Sequence, residues 1–217
     1  MKKRIVIFLI AVFAIWIIAR LTHALEIYKI PTTANEPTYK AGSIIIASKF
    51  KNPGNNNFVV FRRPDKNVWV FRCIGKEGDV VEIRDTKVYL NGNLLNEPYA
   101  WNEYYISAKR LSTIRGYIDN HKNPLRLLND SSYVITLSDA ELKNYHLDLR
   151  PYLSPKGQAN PTIFSDFKKL NYNEDNMGPI KVPANSYFML GDSRHDAYDS
   201  RYFGFITNDD IVSTVIN

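Results

Sequence analysis

Apolar positions cluster at two scales along the chain. One uncharged run, Ile5 to Ala19, stands near the N-terminus behind Lys2, Lys3 and Arg4. Beyond it the apolar stretches are short and are broken every few residues, the rhythm of strands rather than helices. "SIIIAS" at 43–48 is the first. "NFVVFRRP" and "NVWVFRCIG" follow, joined by "RPDKN", which suits a hairpin turn. "GDVVEIRD" and "KVYLNGNLL" come next. In the latter, Asn91-Gly92 between apolar residues predicts a two-residue hairpin loop, because both turn residues must accept a positive φ. At least six short strands, and no long amphipathic helix, are expected before residue 135.

From Tyr99 to Gly178 the chain is polar and aromatic, with weaker periodicity. "SDAELKNYHL" predicts a short helix capped by Ser138, with Glu141 three residues later completing a capping box. Pro151, Pro155, Gly157 and Pro161 then break the chain into loop. The last stretch returns to strands around "GDSRHDAYDSR", where Asp192, Arg194, Asp196, Asp199 and Arg201 crowd within ten residues. A solvated charged loop is the plain reading. Gly191 and Gly204 bracket the cluster and strand-like runs flank it, so mutual charge-assisted bonds that fix the loop's shape are expected instead. The pattern predicts a mainly β fold: an antiparallel core from 27–98 plus 179–217, a smaller inserted α+β lobe at 99–178, and a separate segment at 1–26.

That first segment has two readings. Fifteen uncharged residues of helix cover about 22 Å, short of a hydrocarbon core of roughly 30 Å. Arg20 can snorkel and let the apolar stretch continue through Leu25. The segment is then an N-terminal transmembrane helix, an uncleaved single-pass anchor. The Lys2-Lys3-Arg4 cluster keeps its start in the cytoplasm and puts residues 27–217 on the extracytoplasmic side. The competing reading is a cleaved signal peptide and a soluble secreted β-protein, but Thr22-His23-Ala24 is a weak small-x-small site. The anchor is the favoured reading.

Composition narrows the chemistry. The chain has 217 residues, enough for one sizeable domain or a core domain with a smaller lobe. The net charge is +6; Lys2, Lys3, Arg4 and Arg20 against Glu26 give 1–26 a balance of +3, leaving +3 for the rest. That modest excess favours an anionic membrane surface. No dense basic patch or RNA-binding signature points to nucleic acid. Cys73 is the single cysteine, so no internal disulfide and no Cys/His cluster can form, and His23, His121, His146 and His195 show no ligand spacing. No metal and no cofactor are expected.

Three motifs then fall in order. "IPTTANEPTYKAG" at 30–42 resembles the nucleophile loop of the type I signal peptidases, Pro-Ser-x-Ser-Met-x-Pro-Thr. "FRCIGKEGDVVEI" resembles that family's Lys-Arg-x-x-Gly-x-x-Gly-Asp strand and turn. "LGDSRHDAYDSRYFGF" resembles its Gly-Asp-Asn-Arg…Ser-x-Asp-Ser-Arg loop. The resemblance covers nearly the whole chain and implies a membrane-anchored Ser/Lys protease fold: an antiparallel β core with a smaller lobe. It also implies a cleft that takes a signal peptide's cleavage region in extended form.

The resemblance also places the working residues. Pro31, Glu36, Pro37 and Thr38 align the first motif and put the nucleophile position at Ala34. Arg72, Ile74, Gly75, Gly78 and Asp79 put the general-base lysine at Phe71. Gly191, Asp192, Arg194, Asp199, Ser200 and Arg201 put the lysine-orienting serine at Ala197. All three polar groups are missing, and replacing a buried polar set by apolar groups can be nearly neutral where removing one member is not. Phe71 can fill the slot of the lysine stem. Thr32 stands at the oxyanion-binding position, although a loop threonine satisfying backbone is the simpler reading. Asn35 replaces a methionine beside the nucleophile and so changes the cleft, framed here by Pro31, Thr33, Glu36, Pro37 and Thr38. Arg72, Asp192, Arg194, Asp199 and Arg201 match structural ion pairs, and Cys73 reads as a buried, inert thiol.

The expectation is a membrane-bound homologue without the catalytic dyad. Its partners would be the bilayer, signal peptides or preproteins, and an active signal peptidase. Two alternatives stay open. One is an active protease with rearranged parts, taking Thr32, Thr33 or Cys73 as nucleophile and Lys40, Lys76 or His195 as base. The other is the secreted β-protein.

Overall fold

The computed structural model describes residues 2–21, 24–120 and 125–217. The chain opens with α1 (Lys2–Leu21) and β1 (Leu25–Lys29). A loop at 30–43 leads to β2 (Ile44–Ser48), β3 (Phe58–Arg62), β4 (Val68–Lys76), β5 (Val80–Arg84), β6 (Lys87–Leu90) and β7 (Asn93–Leu94). The middle holds β8 (Trp101–Ser107), α2 (Arg115–Asn120), β9 (Leu125–Asn129), β10 (Ser132–Ser138), α3 (Asp139–Asn144) and α4 (Ser165–Lys168). Last come β11 (Met177–Lys181), β12 (Ser186–Leu190), α5 (Ser200–Phe203), β13 (Ile206–Thr207) and β14 (Ile211–Val215). The fold is mainly β with a few short helices, and among the described residues every pairing between two of these strands is antiparallel.

Seven strands form the principal sheet, in the order β1-β2-β14-β3-β4-β12-β13. It is buried on both faces at its centre. Ile45, Ala47, Phe58, Val60 and Val215 pack with Ile30 in one cluster, and Val59, Phe61, Phe71, Cys73 and Met189 pack in another. Successive residues of a strand point to opposite faces. That is why "FVVF" is apolar throughout rather than at every second position: each of its four side chains has a core to enter. A second sheet, β11-β5-β6-β7, shares the third cluster with β4 and β12 through Ile74, Val81, Ile83, Phe188 and Leu190. At the β6–β7 turn Asn91 and Gly92 have φ of 53° and 81°, the geometry that the Asn-Gly pair predicts.

The middle is more regular than its sequence suggests. β8, β10 and β9 form a third sheet that buries Tyr104, Ile106, Ile135 and Leu137. The capping box forms as expected: Ser138 Oγ accepts from the Glu141 N–H at 3.2 Å, and the Ser138 N–H donates to Glu141 Oε2 at 2.7 Å. Glu141 has a further task, because the Trp101 indole N–H donates to its carboxylate at 2.9 Å. One glutamate therefore starts α3 and anchors the first residue of β8.

Among the described residues no helix is long and apolar enough to cross a membrane. Helix α1 is the apolar one, and its side chains from Ile5 to Ile18 are exposed on all sides apart from Ile17. The Thr22-His23 part of the cleavage-site reading lies outside the described residues, as does His121.

Replacing Glu141 with Ala removes the reciprocal half of the capping box and the acceptor for Trp101. It is expected to cost about 1–2 kcal/mol. That corresponds to a fall of roughly 3–6 °C in Tm, read by thermal denaturation.

Candidate functional site

Three segments meet at the end of β12. Strand β4 carries Phe71 and Arg72. The loop at 30–43 carries Ala34. The 191–199 loop begins where β12 stops at Leu190, opposite Arg72. The meeting point is Gly191. A Cβ on Gly191 would lie 2.3 Å from Ala197 Cβ, 2.7 Å from the Ala34 carbonyl oxygen and 3.2 Å from Phe71 Cε1. Residues from three distant parts of the sequence therefore close around one α-carbon, and only a glycine leaves them room. These are the three positions that the motif alignment singles out.

The centre they make is apolar and tightly packed. Ala34, Phe71 and Ala197 are each buried and belong to one cluster with Val59, Phe61, Cys73, Met189 and Phe203. The Phe71 ring lies 6.1 Å from both Phe61 and Trp69, edge-on to the latter, so it is held by aromatic packing rather than by polar partners. Tyr198, half exposed, continues the aromatic surface outward beside Trp69.

Around that centre runs a frame of buried charge. The Arg72 guanidinium forks onto Asp192, with Nε to Oδ1 at 2.7 Å and Nη2 to Oδ2 at 2.6 Å. Its remaining edge donates to Asn56 O at 3.0 Å, and its plane stacks 4.3 Å from Phe58 and 4.0 Å from Tyr99. Thr38, from the first motif, donates its hydroxyl to Asp192. Arg201 forks onto Asp199 with both bonds at 2.8 Å, and the other donors to Asp199 are the N–H groups of Gly191 at 3.0 Å and Arg201 at 3.2 Å. Burial alone would lower the pKa of both arginines, but the paired aspartates outweigh it and both are raised. Both therefore hold their charge more firmly than a free guanidinium.

Two members of the charged loop look elsewhere. Arg194 pairs with Glu97 at 2.5 Å rather than with an acid of its own loop. His195 Nε2 bonds to Asp175 Oδ1 at 2.9 Å, and Asp175 Oδ2 accepts from the Ser154 N–H at 2.8 Å. Glu97, Asp175, Asn56 and Tyr99 are thus parts of the site that sequence reading missed. Each lies far along the chain in a stretch without a recognisable motif, so only the fold could bring it here.

The 31–38 loop is pinned from Thr33 onward. Thr33 donates its hydroxyl to Asp196, the Ala34 carbonyl accepts from the Ser193 N–H at 3.1 Å, and Asn35 Nδ2 donates to Val70 O at 2.8 Å. Glu36 Oε1 accepts from the Ala41 N–H at 3.1 Å, and the Glu36–Pro37 peptide is cis. Pro31 and Thr32 are exposed. Among the described residues none of Thr32, Thr33 and Cys73 is hydrogen-bonded to Lys40, Lys76 or His195. Cys73 is fully enclosed, and burial pushes its thiol up to about 12, with Asp79 adding to the shift.

The family model described as "Signal peptidase, peptidase S26" matches residues 1–216. Signal peptidase I V of Bacillus subtilis (strain 168) is 25% identical over 99% of this chain and 98% of its own length. Signal peptidase I of Aquifex aeolicus (strain VF5) is 28% identical over 97% of this chain and 81% of its own. A solved signal peptidase I from Enterococcus faecalis V583 aligns with 77% of this chain and 98% of its own at 21% identity, with a TM-score of 0.38.

Two outcomes test this geometry. Gly191→Ala should destabilise by about 2–3 kcal/mol through overpacking, lowering Tm by roughly 5–10 °C. For Cys73, the thiol's proton is held more tightly in the folded state than at the ordinary value of 9.0. Stability from this group is therefore complete below about pH 9 and is lost as pH rises toward about 12. Urea denaturation of Cys73→Val should show a smaller alkaline loss than wild type over that range.

Proposed function

The chain belongs to the signal peptidase, peptidase S26, family, and from that premise we propose that it is a membrane-anchored member that holds exported segments without cutting them. The observation that carries this reading is the cluster at Gly191. Acyl transfer by a serine–lysine pair needs a nucleophilic oxygen, a neutral amine to take its proton, and a group to orient that amine. At the three converging positions stand Ala34, Phe71 and Ala197, which offer a methyl, a phenyl ring and a methyl. None can accept or give up a proton. Phe71 also occupies the volume beside Gly191 with packed ring rather than with a stem and an amine.

The surrounding frame supports a cleft that is kept rather than lost. Arg72–Asp192, Thr38 and Arg201–Asp199 hold the loops in register although no chemistry is left for them to align. Anchoring is supported by α1. A helix that is apolar all round calls for apolar surroundings. Its uncharged run falls short of a full span, a mismatch that local thinning of the bilayer accommodates. In this reading the anchor is single-pass and residues 27–217 lie outside the cytoplasm, with 99–178 as the lobe inserted in the β core. Its partners are the bilayer, exported segments and an active signal peptidase in the same membrane.

One contact favours a second reading, an active protease with substituted parts. The Thr33 hydroxyl lies on the Asp196 carboxylate, one residue from Ala34 on one side and one from Ala197 on the other. A single assay separates the two. Full-length protein in detergent is incubated with a preprotein, wild type beside the triple variant Ala34→Ser, Phe71→Lys, Ala197→Ser. No cleavage by wild type and measurable cleavage by the triple variant is the expected result. Wild-type cleavage above buffer control, persisting after removal of contaminating peptidase, would sink the inactive reading. A folded but silent triple variant would mean that the cleft itself has changed, with Asn35 the first suspect.

A further inference from the structure

Strand β4 outruns one of its neighbours. Its pairing with β12 ends at Arg72 opposite Leu190, whereas its pairing with β3 continues to Val68. N–H and C=O groups of successive strand residues point to alternate sides. Cys73 accepts from the Asn56 N–H and donates to Asn57 O, on the β3 side. Arg72, Val70 and Val68 therefore aim their groups to the other side, beyond the end of β12 and toward the 31–38 loop. That stretch is a sheet edge, and a sheet edge is a template for an added extended segment.

One acceptor on the edge is already taken. Asn35 Nδ2 donates to Val70 O at 2.8 Å. Asn35 is only 3% exposed and its Oδ1 is buried without a protein partner, so among the described residues the bond to Val70 O is what holds the amide. The residues before it are tied to the opposite wall, Ala34 through the Ser193 N–H and Thr33 through Asp196. The side-chain amide is thus held where the backbone N–H of a docked segment would otherwise come.

We propose that Asn35 is a specificity-determining residue: its amide stands in for a segment's N–H at Val70, so that an extended segment pairs with β4 at Val68 and not at Val70. The proposal rests on the reading that this cleft holds exported segments. It predicts a cleft that takes a segment over a shorter stretch, and less tightly, than the full edge would allow. Freeing the Val70 carbonyl should therefore tighten binding.

The probe is a fluorescein-labelled peptide carrying the Ala-x-Ala end of a secretory signal. It is titrated by anisotropy into full-length protein in detergent, as wild type, Asn35→Leu and Asn35→Ala, each shown to be folded by circular dichroism. The leucine keeps the shape of the side chain while removing both polar atoms. Both variants should bind roughly three- to tenfold more tightly than wild type, the contribution of one net hydrogen bond. Carbon-13 labelling at Val70 should show the carbonyl resonance shifted by peptide in the variants and unshifted in wild type. Equal affinity, or weaker binding by the variants, overturns the proposal and leaves the holding function standing. Binding by none of the folded proteins overturns both. A peptide-induced shift of the Val70 carbonyl resonance in wild type overturns the proposal even if neither variant folds.

Discussion

The fork between Arg72 and Asp192 is the contact on which the rest of the site depends. It ties the middle of β4 to the first residues after β12, and Thr38 brings the 31–38 loop to the same carboxylate. Two buried, opposite charges with two parallel bonds give orientation as well as attraction. An isolated buried pair is weak evidence for stability, because desolvation offsets much of the Coulomb gain. Its value here is geometric. With β4, β12 and the loop held in one register, Gly191 has no freedom to move away from Ala34 and Ala197, and the cluster around it closes.

The second fork, Arg201 with Asp199, does for the 191–201 loop what the first does for its neighbours. The Asp199 carboxylate takes the Gly191 N–H as well as the guanidinium, so the two ends of the loop are tied to one group. The stretch from Gly191 to Asp199 is thereby tied at both ends although it holds no helix or strand of its own. Apolar packing and buried charge are interleaved: polar groups satisfy one another in the frame, and the enclosed centre is left to methyls and rings. A protonatable amine in that centre would need a partner to offset its desolvation. A phenyl ring needs none.

Much of this was legible in the sequence, and the reasons differ by element. Strands β2 to β7 announced themselves because each has at least one partner nearby in the chain, and the tightest turn, Asn91-Gly92, carries its own chemistry. The capping box at Ser138 and Glu141 was legible for the same reason, since both partners lie within one turn of helix. Strand β8 was not. "WNEYYIS" mixes aromatic and polar residues on both faces, with Tyr104 buried and Tyr105 exposed, so its period of two is masked. The loop's acids and arginines read as mutual partners, and that held for Asp199 and Arg201. Arg194 instead pairs with Glu97, and His195 with Asp175, because a buried loop meets the partners that the rest of the chain brings around it.

The sequence by itself determined the lineage and the identity of the side chains at the three key positions, since motif spacing survives without any knowledge of the fold. It determined the local elements, whose energetics are settled within a few residues. Only the tertiary structure decided that Ala34, Phe71 and Ala197 share one centre at Gly191. It alone decided that Asn35 reaches Val70 and that Glu97 and Asp175 complete the charged frame. Such contacts join residues up to 163 positions apart, as Thr33 and Asp196 show. No local pattern encodes them: they arise where two-sided burial of the principal sheet brings strand β4 and two loops into the same small volume.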